Sequence, residues 1–230
     1  MRPIVKGHDR GEFRPYQDAQ QPLIKQLGEY CSYCERWIPS GIHVEHKKPK
    51  DPYPELKYQW SNFLLACSNC NSGKGGGELD LRDYVWPDSD NTLRAFRYQS
   101  EGKVMPATGF GDGLDAKIKN TWLMFGFNRH PDSTEPEFST PTSKDRRWIH
   151  RKQEWELANR NKLKLLRNDS VDLRELLIEI ATSRGMFSIW YTVFADDIDF
   201  KGRLVRSFKN TDITSFDDDF DLLPRRAGQI

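Results

Sequence analysis

The sequence has no long hydrophobic run and no excess of charge of one sign. No stretch approaches the roughly 18 consecutive apolar residues expected of a membrane-spanning helix, and residues 1–16 contain no apolar segment like that of a secretory signal. The 35 basic and 34 acidic residues almost cancel, so net charge alone identifies no partner. We therefore expect a cytoplasmic protein with no membrane partner.

Cysteine is also scarce. The 230-residue chain has four, arranged as two C-x-x-C pairs separated by 32 residues: Cys31, Cys34, Cys67 and Cys70. In a reducing compartment such pairs are more often metal ligands than disulfides. Each pair presents two thiolates from one tight turn, and two pairs complete a tetrahedral zinc site without an open position. The spacing predicts a structural Zn²⁺, with four unrelated buried thiols as the alternative.

The remaining composition is that of a folded protein, because 12% of the residues are aromatic and 37% are hydrophobic. Apolar periodicity and cap residues predict a short strand at 94–98 and helices at 22–29, 114–126, 144–167, 171–184 and 187–196. A poorly patterned tail follows. We expect an α+β, mainly helical protein in three parts: an arm and short helix at 1–29, a cysteine-rich module at 30–77, and a mainly helical C-terminal region at 78–230.

The predicted helix at 144–167 is strongly basic. It carries nine Lys and Arg residues against three Asp and Glu residues. A helix face of this charge can track phosphates or dock a partner. A solvated helix surface explains the same charges equally well, and both interpretations stay open.

The segment between the cysteine pairs carries the residues for chemistry. It contains His43-Val44-Glu45-His46 and Asn62, and Asn71 follows the last cysteine directly. This combination resembles the HNH endonucleases of the zinc-stapled ββα-metal type. In that family the first cysteine pair precedes a β-hairpin with an acidic-His pair, and the second pair opens a short helix.

The resemblance implies a role for each matching residue. His46 corresponds to the general base that takes a proton from the attacking water, a role suited to histidine at neutral pH. Glu45 corresponds to the acidic metal ligand, which is more often Asp in such nucleases. Asn62 corresponds to the asparagine that orients the loop bearing the base. Asn71 corresponds to the final position of the motif, where its side-chain oxygen completes the protein ligation of the metal.

Two oxygen ligands, with water and phosphate at the other positions, suit Mg²⁺ or Mn²⁺. The resemblance therefore implies metal-dependent hydrolysis of DNA phosphodiester bonds, with RNA left open as a substrate. Lys74 lies near the implied helix and can contact a substrate phosphate, although a solvated lysine explains it equally well. His43 shares a strand face with Glu45, so it is a candidate third ligand, phosphate contact or partner of the ligands.

Two other functions compete with this one. His43-x-Glu45 followed by Cys67-x-x-Cys70 imitates the signature of zinc nucleobase deaminases. That interpretation leaves the first cysteine pair without a role, and Ala66 stands where the signature has proline. A non-catalytic zinc ribbon that binds nucleic acid or protein also explains the cysteines, but it needs no His-Glu-His motif.

A closer resemblance extends over roughly residues 1–130. The segments MRPIVKG, CSYCER, VEHKKPK and TWLMFGFNR are similar to those of HNH proteins encoded with bacterial anti-phage systems of the Septu and retron type. In those systems the HNH subunit works with an ABC/SMC-like ATPase, so the resemblance implies such a partner. A restriction-type or mobile-element HNH nuclease is the alternative biology for the same chemistry.

Overall fold

A short antiparallel hairpin forms the middle of the cysteine-rich module. Strand β1 (His43–His46) pairs with β2 (Phe63–Ala66), so that His43 lies opposite Ala66 and His46 lies opposite Phe63. All four residues of β2 are buried, as expected for a strand that is apolar on both faces. A computed structural model describes residues 1–132 and 134–230 of the protein.

Helices and a second hairpin surround this unit. The second hairpin consists of β3 (Phe96–Tyr98) and β4 (Val104–Pro106). The helices are α1 (Gln20–Leu27), α2 (Ser68–Lys74), α3 (Asp112–Met124), α4 (Arg147–Arg167), α5 (Val171–Arg184), α6 (Phe187–Val193) and α7 (Ile198–Ser207). The fold is therefore mixed α and β, with 42% of residues helical and two small two-stranded sheets. Within the described residues, no helix is both long enough and apolar enough to cross a membrane.

The sequence pattern located most of these helices. The prediction for α5 is confirmed at both ends, because the Ser170 side chain accepts a hydrogen bond from the Leu173 amide and Gly185 follows the last helical residue. The tail after residue 196, where the sequence is poorly patterned, contains α7, in which Phe200 and Leu204 are buried. Gly202, in the middle of α7, lowers the intrinsic helix propensity of this segment, although the buried apolar residues keep helical spacing.

Close packing explains that glycine. A Cβ atom on Gly202 would lie 2.7 Å from the ring of Phe220. The tail folds back onto α7 at this point, so the helix needs a residue without a side chain. Sequence periodicity carries no record of that tertiary contact.

The expected arm at residues 1–16 is extended but packs against the rest of the chain. Ile4 is buried, and Glu12 forms an isolated antiparallel bridge with Gln59. The Lys6 ammonium donates hydrogen bonds to the backbone carbonyls of Trp60, Ser61 and Phe63 at 3.3, 2.9 and 3.1 Å. The arm is thus fastened to the segment that leads into β2.

A small cluster of charges joins the arm, β1 and the chain after the module. One carboxylate oxygen of Asp88 lies 3.1 Å from the Lys6 ammonium and 2.7 Å from the Lys47 ammonium. The three side chains are between 5% and 12% exposed. Burial opposes the charge of Asp88, but Lys47 and Lys6 outweigh it and lower the pKa of the carboxyl to about 2.

Replacing Asp88 with Asn should therefore destabilise the protein. The substitution leaves two lysines buried without a counter-charge, which costs about 3 kcal/mol at neutral pH. Because folding lowers the pKa of Asp88, its ion pairs stabilise the protein fully above pH 3.8, the ordinary pKa of Asp, and this stabilisation is lost as the pH falls toward 2. Urea unfolding at pH 7 and at successively lower pH values measures both effects.

Asp196→Asn is the matched control. Asp196 also pairs with a lysine, Lys162, but its side chain is 73% exposed. Its loss should change the free energy of unfolding by less than about 1 kcal/mol. Equal effects of the two substitutions would show that the Asp88 cluster contributes no more than a surface ion pair.

Candidate functional site

The four cysteines converge into one buried cluster. Their sulfur atoms all lie within 4.8 Å of one another, and Sγ of Cys34 is 3.7 Å from Sγ of Cys67. Tetrahedral zinc with Zn–S bonds of about 2.3 Å separates neighbouring sulfurs by about 3.8 Å. The donor set and its spacing therefore fit a Zn²⁺ ion held by Cys31, Cys34, Cys67 and Cys70.

Helix α2 begins at this cluster. Cys67 is its N-cap, and the Cys67 sulfur accepts a hydrogen bond from the Cys70 amide at 3.4 Å. The same residue thus caps the helix and faces the metal position. In this way the second cysteine pair fixes both the start and the direction of α2.

A buried arginine from the C-terminal region also contacts the cluster. Arg147, at the start of α4, donates from Nη1 to the Cys70 sulfur at 3.2 Å and pairs with Asp145 at 2.5 Å. A guanidinium beside a thiolate offsets the negative charge of a four-cysteine zinc site and orients its ligand. Sequence reasoning missed Arg147, because 77 residues separate it from Cys70 and no motif links them.

An open cleft of ≈ 210 Å³ lies at the end of β1 and α2. Four of the predicted site residues line it: Glu45, His46, Asn71 and Lys74. Tyr16 from the arm and Lys50 from the loop after β1 complete the side near His46. The structure therefore brings the acidic-His pair of the hairpin together with the polar residues of α2.

The imidazole of His46 is held from three sides. Its Nε2 lies 2.9 Å from the backbone carbonyl oxygen of Lys57. The rings of Tyr16 and Phe63 pack edge-on against it, at centroid distances of 4.6 and 5.1 Å. Because a carbonyl can only accept, Nε2 must carry the proton and Nδ1 is left with the free lone pair. Burial lowers the pKa of His46, which favours this neutral form.

Glu45 is buried between an aromatic residue and a lysine. The Tyr33 hydroxyl donates a hydrogen bond to one carboxylate oxygen of Glu45, and the Lys74 ammonium lies 3.0 Å from the other. That second oxygen has no partner of ideal hydrogen-bonding geometry, and the ion pair with Lys74 is its contact. Burial raises the pKa of Glu45, whereas the Lys74 charge opposes the rise.

Two oxygen-bearing side chains of the cleft, Glu45 and Asn71, are suited to bind a divalent cation. Glu45 supplies a buried carboxylate oxygen that lacks a hydrogen-bond donor, and Asn71 is an exposed residue of α2 that lines the same cleft. Oxygen donors of this kind suit Mg²⁺. The donor chemistry fits, and the Lys74 ammonium neutralises the carboxylate in the conformation described.

Asn62 does not line the cleft but ties down the loop after β1. Its side-chain oxygen accepts from the Lys48 amide at 2.8 Å, and its side-chain nitrogen donates to the Lys48 carbonyl at 2.9 Å. A further bond reaches the Leu56 carbonyl at 3.3 Å. The Asn62 amide thus fastens the loop after His46, which also supplies the Lys57 carbonyl that contacts Nε2.

His43 lies apart from the other predicted residues. It is exposed at the far end of β1 and does not line the cleft. In the described part of the chain, the group of side chains that could share a metal contains the four cysteines and no histidine. This arrangement disfavours the deaminase interpretation, which requires His43 and the second cysteine pair to bind one ion.

Comparisons with known proteins agree with the geometry of the module. The family model for HNH endonucleases matches residues 31–77. The chain is 33% identical over 96 residues to "Septu protein PtuB" of Bacillus thuringiensis, covering 39% of this chain and 37% of that protein. It is 29% identical over 110 residues to "Retron Vc95 putative HNH endonuclease" of Vibrio cholerae serotype O1 biovar El Tor, covering 44% of this chain and 53% of that protein.

The matched segments thus span between about one third and one half of the relatives' own lengths. The family match at residues 31–77 covers the same elements that form the module in the structure, namely the hairpin, α2 and the four cysteines. Residues 31–77 form a domain of the HNH endonuclease family.

Proposed function

We propose that the protein is a metal-dependent endonuclease that hydrolyses DNA phosphodiester bonds, with His46 as the general base. The fixed imidazole carries this proposal. Its Nε2 is held by the Lys57 carbonyl, so Nδ1 is the nitrogen that can accept a proton. The ring lines an open cleft beside a buried carboxylate, as a base that activates water requires.

In this reaction His46 takes a proton from the attacking water at Nδ1. Tyr16 and Phe63 pack against the imidazole and hold its orientation. Asn62 acts through the loop and not on the substrate, because its side chain is engaged with the Lys48 backbone on both sides. Asn62 is therefore a positioning residue for the base.

Glu45 and Asn71 would hold the divalent cation, Mg²⁺ or Mn²⁺. Such a cation supplies charge stabilisation for the transition state and for the leaving oxygen. The Lys74 ammonium, 3.0 Å from Glu45, balances the carboxylate charge and competes with the cation for it. In this scheme Lys74 acts on Glu45. A contact of Lys74 with a substrate phosphate stays a proposal, and so does a phosphate contact of His43.

We further propose that the protein acts in an anti-phage defence system with an ABC/SMC-like ATPase partner. The names of the two relatives, a Septu protein and a retron protein, support this assignment. A neighbouring gene for an ATPase would support it further. A neighbouring methyltransferase gene would favour the restriction alternative.

His46→Ala should reduce divalent-dependent nicking of plasmid DNA by about 10²- to 10⁴-fold, because a positioned general base contributes that much. The assay includes the ATPase if a neighbouring gene encodes one. His8→Ala is the control, since His8 is exposed and lies outside the cleft. Nicking that survives His46→Ala at the rate of the control would remove His46 from the role of base.

Metal analysis should find one zinc ion per chain. Substitution of Cys31 and Cys34 by Ala should remove the ion as completely as substitution of Cys67 and Cys70, because a closed tetrahedral site needs both pairs. Both variants should also lose thermal stability, since metal binding and folding are linked. Zinc retained without the first pair and lost without the second would instead support a deaminase-type site.

Tyr33→Phe should weaken the divalent site while leaving the zinc in place. The substitution removes one hydroxyl, which donates to Glu45, and preserves the ring that stacks on Phe125 at 3.8 Å. Loss of a partner that orients a metal ligand typically reduces metal affinity by about 10- to 100-fold. The concentration of Mg²⁺ required for half-maximal nicking measures the change, and zinc content is determined in parallel.

Tyr191→Phe is the matched control for Tyr33→Phe. It also removes a buried tyrosine hydroxyl, which donates to the Phe220 carbonyl in the C-terminal region. The Mg²⁺ requirement of this variant should equal that of the wild type. An unchanged requirement in Tyr33→Phe as well would show that Glu45 does not depend on the hydroxyl.

A further inference from the structure

The arm and the loop after β1 form one continuous surface next to the cleft. The Phe13 amide donates to the Tyr58 carbonyl at 2.9 Å, and the Trp60 amide donates to the Gly11 carbonyl at 2.9 Å. These bonds place residues 10–16 alongside residues 57–60. We call residues 10–16 together with 48–58 the arm–loop surface.

Five basic side chains of the arm–loop surface lie over aromatic rings. Arg14 and Lys57 approach the Tyr58 ring at 4.5 and 5.2 Å. The other three cations lie between 4.5 and 5.8 Å from ring centroids, as Lys48 over Tyr53, Lys50 over Tyr16 and Arg10 over Trp60. A cation over the face of an aromatic ring is attracted by the negative charge of that face. The rings therefore restrain long side chains that are otherwise flexible.

Most of these cations lack an acidic partner. Among the residues that the structure describes, Arg10, Lys48, Lys50 and Lys57 make no ion pair, whereas Arg14 pairs with Glu12 on the exposed surface at 3.0 Å. Lys6, Lys47 and Lys74, by contrast, are each paired with a buried carboxylate. Unpaired cations held in place by rings are pre-organised for an external anion.

The surface reaches the proposed base directly. The Tyr16 ring packs on His46, Lys50 lines the cleft beside both residues, and the Lys57 carbonyl holds Nε2 of His46. A polyanion bound along the surface would therefore pass over the cleft. Helix α4, where the sequence concentrates basic residues, contributes no residue to the cleft.

The rings themselves are poorly placed to stack on nucleobases. Trp60 is 2% exposed, and the half-buried rings of Tyr16, Tyr53 and Tyr58 each lie under a cation. Stacking platforms for single strands require open ring faces. The cations, not the rings, face the ligand, and this favours contact with a phosphate backbone.

We propose that the arm–loop surface binds the phosphate backbone of duplex DNA and guides it across the cleft, and that basic helix α4 does not. This assignment rests on the proposed nuclease function and names the surface through which the substrate is held. Binding of this kind is dominated by release of condensed counterions. The slope of log K against log salt concentration therefore counts the phosphate contacts, at about 0.9 per contact for B-DNA.

The test measures binding of a fluorescent 30-base-pair duplex by anisotropy at several salt concentrations, without added divalent metal so that no cleavage occurs. The triple variant Arg10→Gln, Lys50→Gln and Lys57→Gln should reduce the magnitude of the slope by about 2.7, which is three contacts of about 0.9. Arg10→Lys, Lys50→Arg and Lys57→Arg should restore the slope. Zinc content and melting temperature verify that each variant is folded.

Lys152→Gln, Arg160→Gln and Arg167→Gln form the matched control. These three exposed residues of α4 carry the same total charge, and their loss should leave the slope unchanged. A reduced slope in the α4 variant with an unchanged slope in the arm–loop variant would overturn the proposal. If the arm–loop variant instead lowers the magnitude of the slope only with single-stranded DNA, by about 0.7 per cation, the ligand is a single strand and not a duplex.

The two proposals fail in different ways. Wild-type protein that binds duplex through the arm–loop surface but shows no divalent-dependent nicking would contradict the nuclease function and leave the surface assigned. Nicking that depends on His46, together with an unchanged slope in the arm–loop variant, would contradict the proposed DNA-binding surface and leave the nuclease function standing.

Discussion

The convergence of four buried sulfur atoms is the constraint from which the rest of the module follows. Cys31 and Cys34 precede the hairpin and Cys67 caps α2, so an ion held by the four sulfurs would close a segment of 32 intervening residues. Such closure would remove the conformational freedom of that segment and make metal binding part of folding. Arg147 extends the constraint, since its bond to the Cys70 sulfur attaches the start of α4 to the same centre.

Both contacts to Glu45 come from segments that the cysteines fix. Tyr33 stands between Cys31 and Cys34, and Lys74 ends the helix that Cys67 begins. A hydroxyl and an ammonium thus meet at one buried carboxylate from opposite ends of the cysteine-rich segment. A buried charge is tolerated only when it is paired, so the geometry of the cysteine site determines the state of the neighbouring cleft.

The basic residues of the module divide into two groups with different physical roles. Lys6, Lys47 and Lys74 are buried against carboxylates and fasten the arm, the hairpin and α2 to their neighbours. Arg10, Lys48, Lys50 and Lys57 lie over aromatic rings without acidic partners and face outward. Lys47 and Lys48 are adjacent in the bend that follows β1, yet they belong to different groups, because Lys47 pairs with Asp88 and Lys48 lies over the ring of Tyr53.

Features that depend on local spacing and residue chemistry could be predicted from the sequence. It identified the cysteine pairs, the acidic-His pair of β1, the two asparagines and the limits of α5, because metal turns, strand alternation and helix caps are short-range features. The residues that contact these groups could be identified only after folding brought them together. Tyr33, Tyr16 and Arg147 carry no motif. The close packing of Gly202 against Phe220 and the division between ion-paired and ring-held cations arise only on folding. Such pairings join residues that are far apart in the chain, 77 positions in the case of Arg147 and Cys70, whereas sequence periodicity records only neighbours along the chain.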